Sequence, residues 1–352
     1  MSDDEIKKNS IRAPHFVTLR DIAESASVSV STVSRALAGK GLVNRRTESR
    51  ILRIAEAMGY RPNALARSLV TRNSGLIGLM LHNLLNASFQ RTAEIIQTRL
   101  ADAGYQLLLC ITGDNPQQEA DFLSMLFDHR VEGLIYVPTG KNMELIRRFT
   151  DSGVPVVGLI RRQIDSPYDS ILLDDINGAY EGTRYLLELG HKRIGILVGR
   201  PETNSGRERL EGYLKALHEF GVPENPNYIC RGPYNAPFGK QACETLLDLK
   251  TPPTALFAAN HEASFGVMRV LSERSISIPD QLSLLCYEDE PWFSWQKPAI
   301  SVVDSGPEAM ANLAAERLLQ RIIRPDAFSG GRELRMGAKL IIRDSCGAGP
   351  GF

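Results

Sequence analysis

The residues most suited to chemistry in this 352-residue chain lie between Thr18 and Leu69, and they are hydroxyls and guanidinium groups rather than nucleophile–base pairs. The segment SVSVSTVSRAL places Ser31, Thr32, Ser34 and Arg35 on one short stretch beside Val30. Hydroxyls and a planar guanidinium on a helix suit hydrogen bonding to a nucleic-acid duplex. Covalent catalysis finds no comparable pattern. The chain contains no G-x-S-x-G elbow, no phosphate-binding G-x-x-x-x-G-K-[ST] loop and no dinucleotide fingerprint, so an enzyme is not expected. No cofactor is expected, and the absence of close Cys/His pairing argues against zinc.

The elements that must hold these residues are readable from apolar spacing. Leu19, Ile22, Ala23 and Ala26 predict a first helix, with Thr18 as N-cap and Asp21 three residues on completing a capping-box pattern. A break at residues 27–30 follows. A second helix is expected from Ser31, turning Val33, Ala36 and Leu37 inward. A third is expected from about Thr47 to Met58, ending at Gly59, with Ile51, Ile54, Ala55 and Met58 closing a three-helix core. Two short helices joined by a tight turn form a helix-turn-helix, whose second helix can enter a major groove. Residues 1–17 read as disordered. After Pro62 the stretch NALARSLV is about eight residues of good helix formers, too short to be a stable isolated helix, so it should order only when something packs on it.

From Gly75 the pattern changes. Short Val/Ile/Leu runs such as LIGLML, VEGLIYV, RIGILVG, TALFAAN and LSLLCYE alternate with amphipathic stretches. This pattern predicts buried parallel strands in doubly wound α/β sheets, numerous enough for two lobes. Ligands of such sheets bind beyond the carboxyl ends of the strands.

Charge agrees with the division. Residues 1–73 hold 13 Lys/Arg and 7 Asp/Glu, a net of +6, and the remainder holds 28 basic and 34 acidic residues, a net of −6. A basic head on an acidic body suits phosphate contact at one end. No apolar run of 18 residues and no secretory leader are present, and the five scattered cysteines read as reduced, so a cytoplasmic, nucleoid-associated protein without a membrane partner is expected.

The sequence resembles the LacI family of bacterial transcription regulators. VTLRDIA, SVSTVSRAL, AEAMGYRPNALARSL, IGLMLHNLLNASF, RVEGLIYVP, LGHKRIGILVG, RERLEGY, PTALFAAN and IPDQLSLLCYED follow that family's order over roughly residues 16–345. The resemblance implies a helix-turn-helix head (16–60), a hinge helix (61–73) and a two-lobed periplasmic-binding-protein-like core (74–345) with three crossing segments. The lobes would be about 74–172 with 303–325, and about 173–302 with 326–345. It also implies a homodimer that binds a near-palindromic double-stranded operator as a repressor, or as an activator or dual regulator, under control of a small-molecule effector.

Carried over residue by residue, the resemblance puts Val30, Ser31, Thr32, Ser34 and Arg35 on base edges and phosphates, with Thr18 at the DNA face. Arg35 could bond guanine bidentately and Val30 could meet a thymine methyl. Asn63, Ala64 and Arg67 would follow the minor groove, and Leu69 would wedge into its central step. The effector would touch Asn83, Asn86, Ser88 and Phe89; Arg161 and Arg162; Thr203, Ser205 and Arg209; Tyr234; Asn260 and His261; and Glu288 and Asp289. Many relatives hold Asp where this chain has Asn83, Arg161 and His261, so the cleft is expected to be more positive and the effector anionic, such as a sugar acid. An arginine buried without a carboxylate would favour a ligand that supplies one.

Overall fold

The computed structural model describes residues 17–37, 43–60, 73–84, 86–161, 166–304, 306–325 and 330–350. These divide into two compact units, one ending at Ser74 and one beginning at Gly75.

The first unit holds three helices: α1 (Leu19–Ser25), α2 (Val30–Leu37) and α3 (Arg45–Ala57). The expected capping box is present: Asp21 N–H donates to Thr18 Oγ1, and Thr18 N–H donates to Asp21 Oδ2 at 2.7 Å. Helix α2 begins one residue earlier than the spacing predicts. Helix α3 begins two residues earlier, because Asn44 caps it by accepting from Arg46 N–H. Ile22, Ala23, Ala26, Val33, Ala36, Ile51 and Ala55 form one buried cluster. Ser27, at φ 52°, turns the chain between α1 and α2. Arg50 ties α3 to that turn by donating to Ala26 O at 2.6 Å.

The second unit contains two six-stranded sheets. The strands are β1 (Leu76–Leu81), β2 (Gln106–Ile111), β3 (Gly133–Tyr136), β4 (Val156–Leu159), β5 (Asp169–Leu173), β6 (Ile194–Val198), β7 (Ile229–Arg231), β8 (Ala255–Ala258), β9 (Ser283–Tyr287), β10 (Ser301–Asp304), β11 (Glu333–Met336) and β12 (Lys339–Ile341). The helices are α4 (Ala87–Asp102), α5 (Pro116–Asp128), α6 (Met143–Asp151), α7 (Asp175–Glu188), α8 (Asn204–Glu219), α9 (Ala236–Leu247), α10 (His261–Glu273) and α11 (Pro307–Ile323). One sheet runs β11-β5-β4-β3-β1-β2, all parallel, and the other β12-β10-β9-β8-β6-β7, parallel except for β12 against β10. Each central strand is buried on both faces, which explains its uninterrupted apolar run. Helices α4 and α11 cover one face of the first sheet and α5 and α6 the other. Helices α7 and α8 cover one face of the second sheet and α9 and α10 the other.

The chain passes between lobes three times: between β5 and α7, between β10 and α11, and between β11 and β12. Strand β11 departs from the sequence reading, which assigned residues 326–345 to the second lobe. Glu333–Met336 pairs with Ser170–Leu173 at the edge of the first sheet, and only β12 belongs to the second. The sequence ELRM is half polar because an edge strand buries only part of itself, so it carries no apolar-run signal.

Candidate functional site

In the first unit, the residues expected to meet DNA stand on the outer side of α2 while Val33 and Ala36 point into the core. Val30 is 43% exposed, high for a valine. Ser31, Ser34, Arg35 and Thr18 are exposed, and Thr32 is half-buried. Ser29 Oγ lies 2.8 Å from both Ser31 Oγ and Thr32 Oγ1, so three hydroxyls cluster at the start of α2. An exposed N-terminal turn rich in hydroxyls is suited to phosphate or base-edge contact. Asn63, Ala64, Arg67 and Leu69 lie outside the described residues, as does Arg162.

In the second unit, the candidate ligand residues gather at the carboxyl ends of the strands of both sheets, as the open α/β rule requires. The tightest constellation is in the second lobe. Arg209, on the second turn of α8, is 2% exposed. Its Nε donates to Asp175 Oδ1 at 2.8 Å and its Nη1 to Ala259 O at 2.6 Å. Its guanidinium carbon lies 3.8 Å from the Tyr287 ring centroid and 5.5 Å from that of Tyr234. Burial works against the charge of Arg209, but Asp175, the two tyrosines and Glu288 outweigh it and raise its pKa well above the ordinary value. Tyr287 hydroxyl donates to the same Asp175 oxygen at 3.0 Å. The other carboxylate oxygen of Asp175 and the Tyr234 hydroxyl are buried and make no hydrogen bond. Gly199 lets Tyr234 approach: a Cβ there would stand 2.8 Å from the ring.

Next to this lies a second pair. Asn260 caps α10, accepting from Glu262 and Ala263 N–H, and its Nδ2 donates to Glu288 Oε2 at 3.2 Å. His261 Nδ1 hydrogen-bonds the same Glu288 oxygen. Burial disfavours the imidazolium, yet Glu288, Glu290 and Glu262 together hold the His261 pKa above its usual value. Burial likewise disfavours the Glu288 carboxylate, but His261 and Arg209 hold its pKa below the ordinary range. Glu288 sits at φ 69°, a left-handed conformation uncommon outside glycine, which aims its side chain at His261 and Arg209. Asp289 does not join them; both its oxygens are taken by Arg343.

The first lobe contributes less. Asn83 accepts from Asn86 N–H, and Asn86 caps α4 by accepting from Phe89 N–H. Phe89 was expected to touch the effector. It is 9% exposed and packs in the first lobe's core, with its edge toward His82 at 6.1 Å between centroids. Ser88 lines a groove of about 730 Å³ with Arg91, Glu290, Pro307 and Glu308. Arg161 was expected to lack a carboxylate partner. It instead donates to both oxygens of Asp114, at 2.6 and 3.1 Å. Thr203 caps α8, and Ser205 is half-buried on its first turn.

Sequence reasoning therefore brought together Arg209, Tyr234, Asn260, His261 and Glu288, and missed Asp175, Tyr287, Glu290, His82 and Asp114. Each missed residue lies at or just beyond the end of a strand, so the strand-end rule alone could have flagged them. Among the described residues, no group of three His, Cys, Asp or Glu side chains is placed to hold a metal ion. No helix there is long and apolar enough to cross a membrane.

Comparison with known proteins follows the same division. Residues 18–63 match the family of bacterial regulatory proteins of the lacI type, and residues 183–346 match a periplasmic binding protein-like domain. The probable HTH-type transcriptional repressor ExuR of Bacillus subtilis is 30% identical over 335 residues, covering 94% of this chain and 98% of that protein. The HTH-type transcriptional repressor PurR of Actinobacillus pleuropneumoniae is 28% identical over 330 residues, covering 94% and 98%. The crystal structure of the lac repressor dimer bound to operator and the anti-inducer ONPF superposes with a TM-score of 0.79 at 25% identity, covering 95% of this chain and all of that one. An exposed helix-turn-helix, a two-lobed core with polar residues at its strand ends, and relatives aligned along almost their whole length place this chain in the LacI family of bacterial transcriptional regulators.

Proposed function

We propose that the protein is a repressor that binds a near-palindromic operator as a homodimer, and that an uncharged, hydroxyl-bearing effector between the lobes controls its affinity. The observation that carries the effector reading is the Arg209–Asp175 constellation. It presents a buried acceptor without a hydrogen bond, Asp175 Oδ2, beside a buried hydroxyl without one, Tyr234 Oη. A buried polar atom left unsatisfied is costly, so a ligand hydroxyl that donates to Asp175 and pairs with Tyr234 would be recognised there. The aromatic faces of Tyr234 and Tyr287 flank the same guanidinium and suit the apolar side of a ring.

The anionic effector expected from the sequence rested on arginines without carboxylates. Arg161 has Asp114, Arg209 has Asp175 and His261 has Glu288. With Glu290 also buried beside His261, the acids match or exceed the bases, and this balance favours a neutral ligand over an anion.

Homodimerisation gains support from the surface of the second lobe. Phe265, 45% exposed, stacks on Trp292 at 4.6 Å, and Trp295 nearby in sequence is 75% exposed. Exposed aromatic patches of this kind mark association surfaces. Two heads read two half-sites, which makes the operator palindromic.

The test is selection of bound duplexes from a random pool by the full chain, repeated with neutral sugars and with sugar acids. Enrichment of a palindrome whose capture changes with a neutral sugar supports the proposal. No enrichment overturns the DNA reading, and a response to sugar acids alone overturns the effector reading.

A further inference from the structure

We infer that α8 is an interlobe latch, with Asn204 and Glu208 holding the two lobes in one closure state from the helix face beside the effector arginine. This rests on the effector reading given above and adds the device that sets the cleft width.

Helix α8 belongs to the second lobe, yet two of its side chains are spent on the first. Asn204 Nδ2 donates to Ile160 O at 3.1 Å, and Ile160 follows β4 of the first sheet. One turn later, Glu208 accepts two bonds from Arg335 of β11, at 2.8 and 3.1 Å. Residues four apart lie on one face of a helix, so both interlobe bonds leave α8 in one direction, and Arg209 leaves in the next. Arg335 is fixed from its own lobe as well. Its Nε donates to Glu333 at 2.8 Å, and its Nη1 lies 3.4 Å from Leu173 O, at the end of β5. The fork-to-fork geometry with Glu208 restricts orientation as well as distance. Both carboxylate oxygens of Glu208 are engaged, and its side chain is only 13% exposed.

The other end of the latch is strained. Ile160 has φ 64°, a region that a β-branched residue rarely enters. Its N–H donates to Ile171 O at 2.9 Å while its C=O receives Asn204. Such a conformation persists only where neighbouring bonds enforce it. Separating the lobes would remove the Asn204 bond, one of the two that hold Ile160 in this conformation. The carboxylate of Glu208 and the guanidinium of Arg209 are on consecutive residues, so a ligand that draws on Arg209 acts on the helix that carries the latch.

Hydrogen exchange of the full, ligand-free chain tests this with Glu208→Gln, Arg335→Gln and the double variant. Each single variant is expected to speed amide exchange of residues 157–161 and 203–208 roughly three- to tenfold, with the rest of the second unit unchanged. The double variant should exchange no faster than the singles, because either change already removes the pair. Unchanged exchange in the singles, additive acceleration in the double, or equal acceleration throughout the chain would overturn the latch. Duplex selection by the wild-type chain, run in parallel, reports on the DNA reading separately, so a failure of either is recognisable.

Discussion

Arg209 and Asp175 meet inside the second lobe with side chains 3% and 1% exposed, Nε to Oδ1 at 2.8 Å. They are 34 residues apart and arrive from different helices, α8 and the start of α7. A buried ion pair is weak evidence for net stability, but losing one partner strands the other's charge. Asp175→Ala should therefore destabilise the core by about 3–5 kcal/mol. Replacing both, Arg209→Met with Asp175→Ala, should cost clearly less than the two single losses together. Denaturant unfolding of the four proteins measures this, and additive losses would count against the two acting as one pair.

Helix α2 gives a sharper test of mode. Arg35 is exposed on α2 and takes no part in the head's core, so Arg35→Ala should leave head stability unchanged. If it reads a base edge, affinity for the selected operator should fall by about 1–3 kcal/mol while the salt dependence holds. A drop in the log–log salt slope of about one, equal for all sequences, would make it a phosphate contact instead. Operator titration by fluorescence anisotropy at several salt concentrations separates the two.

Asp169 offers a stability prediction away from the proposed effector residues. The carboxylate opens β5 and accepts from Arg317 Nε at 2.6 Å, Arg321 Nε and Nη2 at 2.7 and 2.6 Å, and Arg332 N–H at 2.8 Å. It therefore ties β5, α11 and the approach to β11, the three first-lobe segments next to the crossings. Burial raises its pKa, but these donors more than offset that and hold it below the usual range. Its contribution is present above the unfolded carboxylate value and is lost as pH falls through the lower folded one. Asp169→Ala should cost about 3–5 kcal/mol in neutral unfolding experiments, since two arginines lose their counter-charge.

How much of this was legible in the sequence depends on whether the determining interaction was local. The Thr18–Asp21 capping box and the alternation of buried strands with amphipathic helices are local, and both were read correctly. Strand β11 was not, because its place beside β5 is set by a partner more than 160 residues away and its edge position leaves it half polar. Arg209 stood out as a candidate binding group from its place in RERLEGY, but its carboxylate partner did not, since Asp175 becomes adjacent only when α7 packs on α8. The same limit misdirected the charge argument. Counting side chains against a family pattern supplied Arg161 but not Asp114, which reaches it from beyond the end of β2, three strands away in the sheet.

His82 provides the pH test. It follows β1, is 7% exposed, and its Nε2 makes no hydrogen bond, lying 3.5 Å from Asp114. Burial first, then the nearby Arg161, lower its pKa from 6.5 to about 4, against the opposing pull of Asp114. The folded core thus keeps the imidazole neutral over a range where the unfolded chain takes up a proton. Between those two values the unfolded state binds more protons, so stability declines as pH falls from about 6.5 to about 4 and levels off below. The part due to this residue is on the order of 3 kcal/mol. His82→Gln keeps a polar side chain without the titration, so its unfolding free energy should fall less than that of the wild type over the same interval. Denaturant unfolding of both proteins at pH values spanning that range checks the difference, and parallel curves would show that His82 does not cause the acid sensitivity.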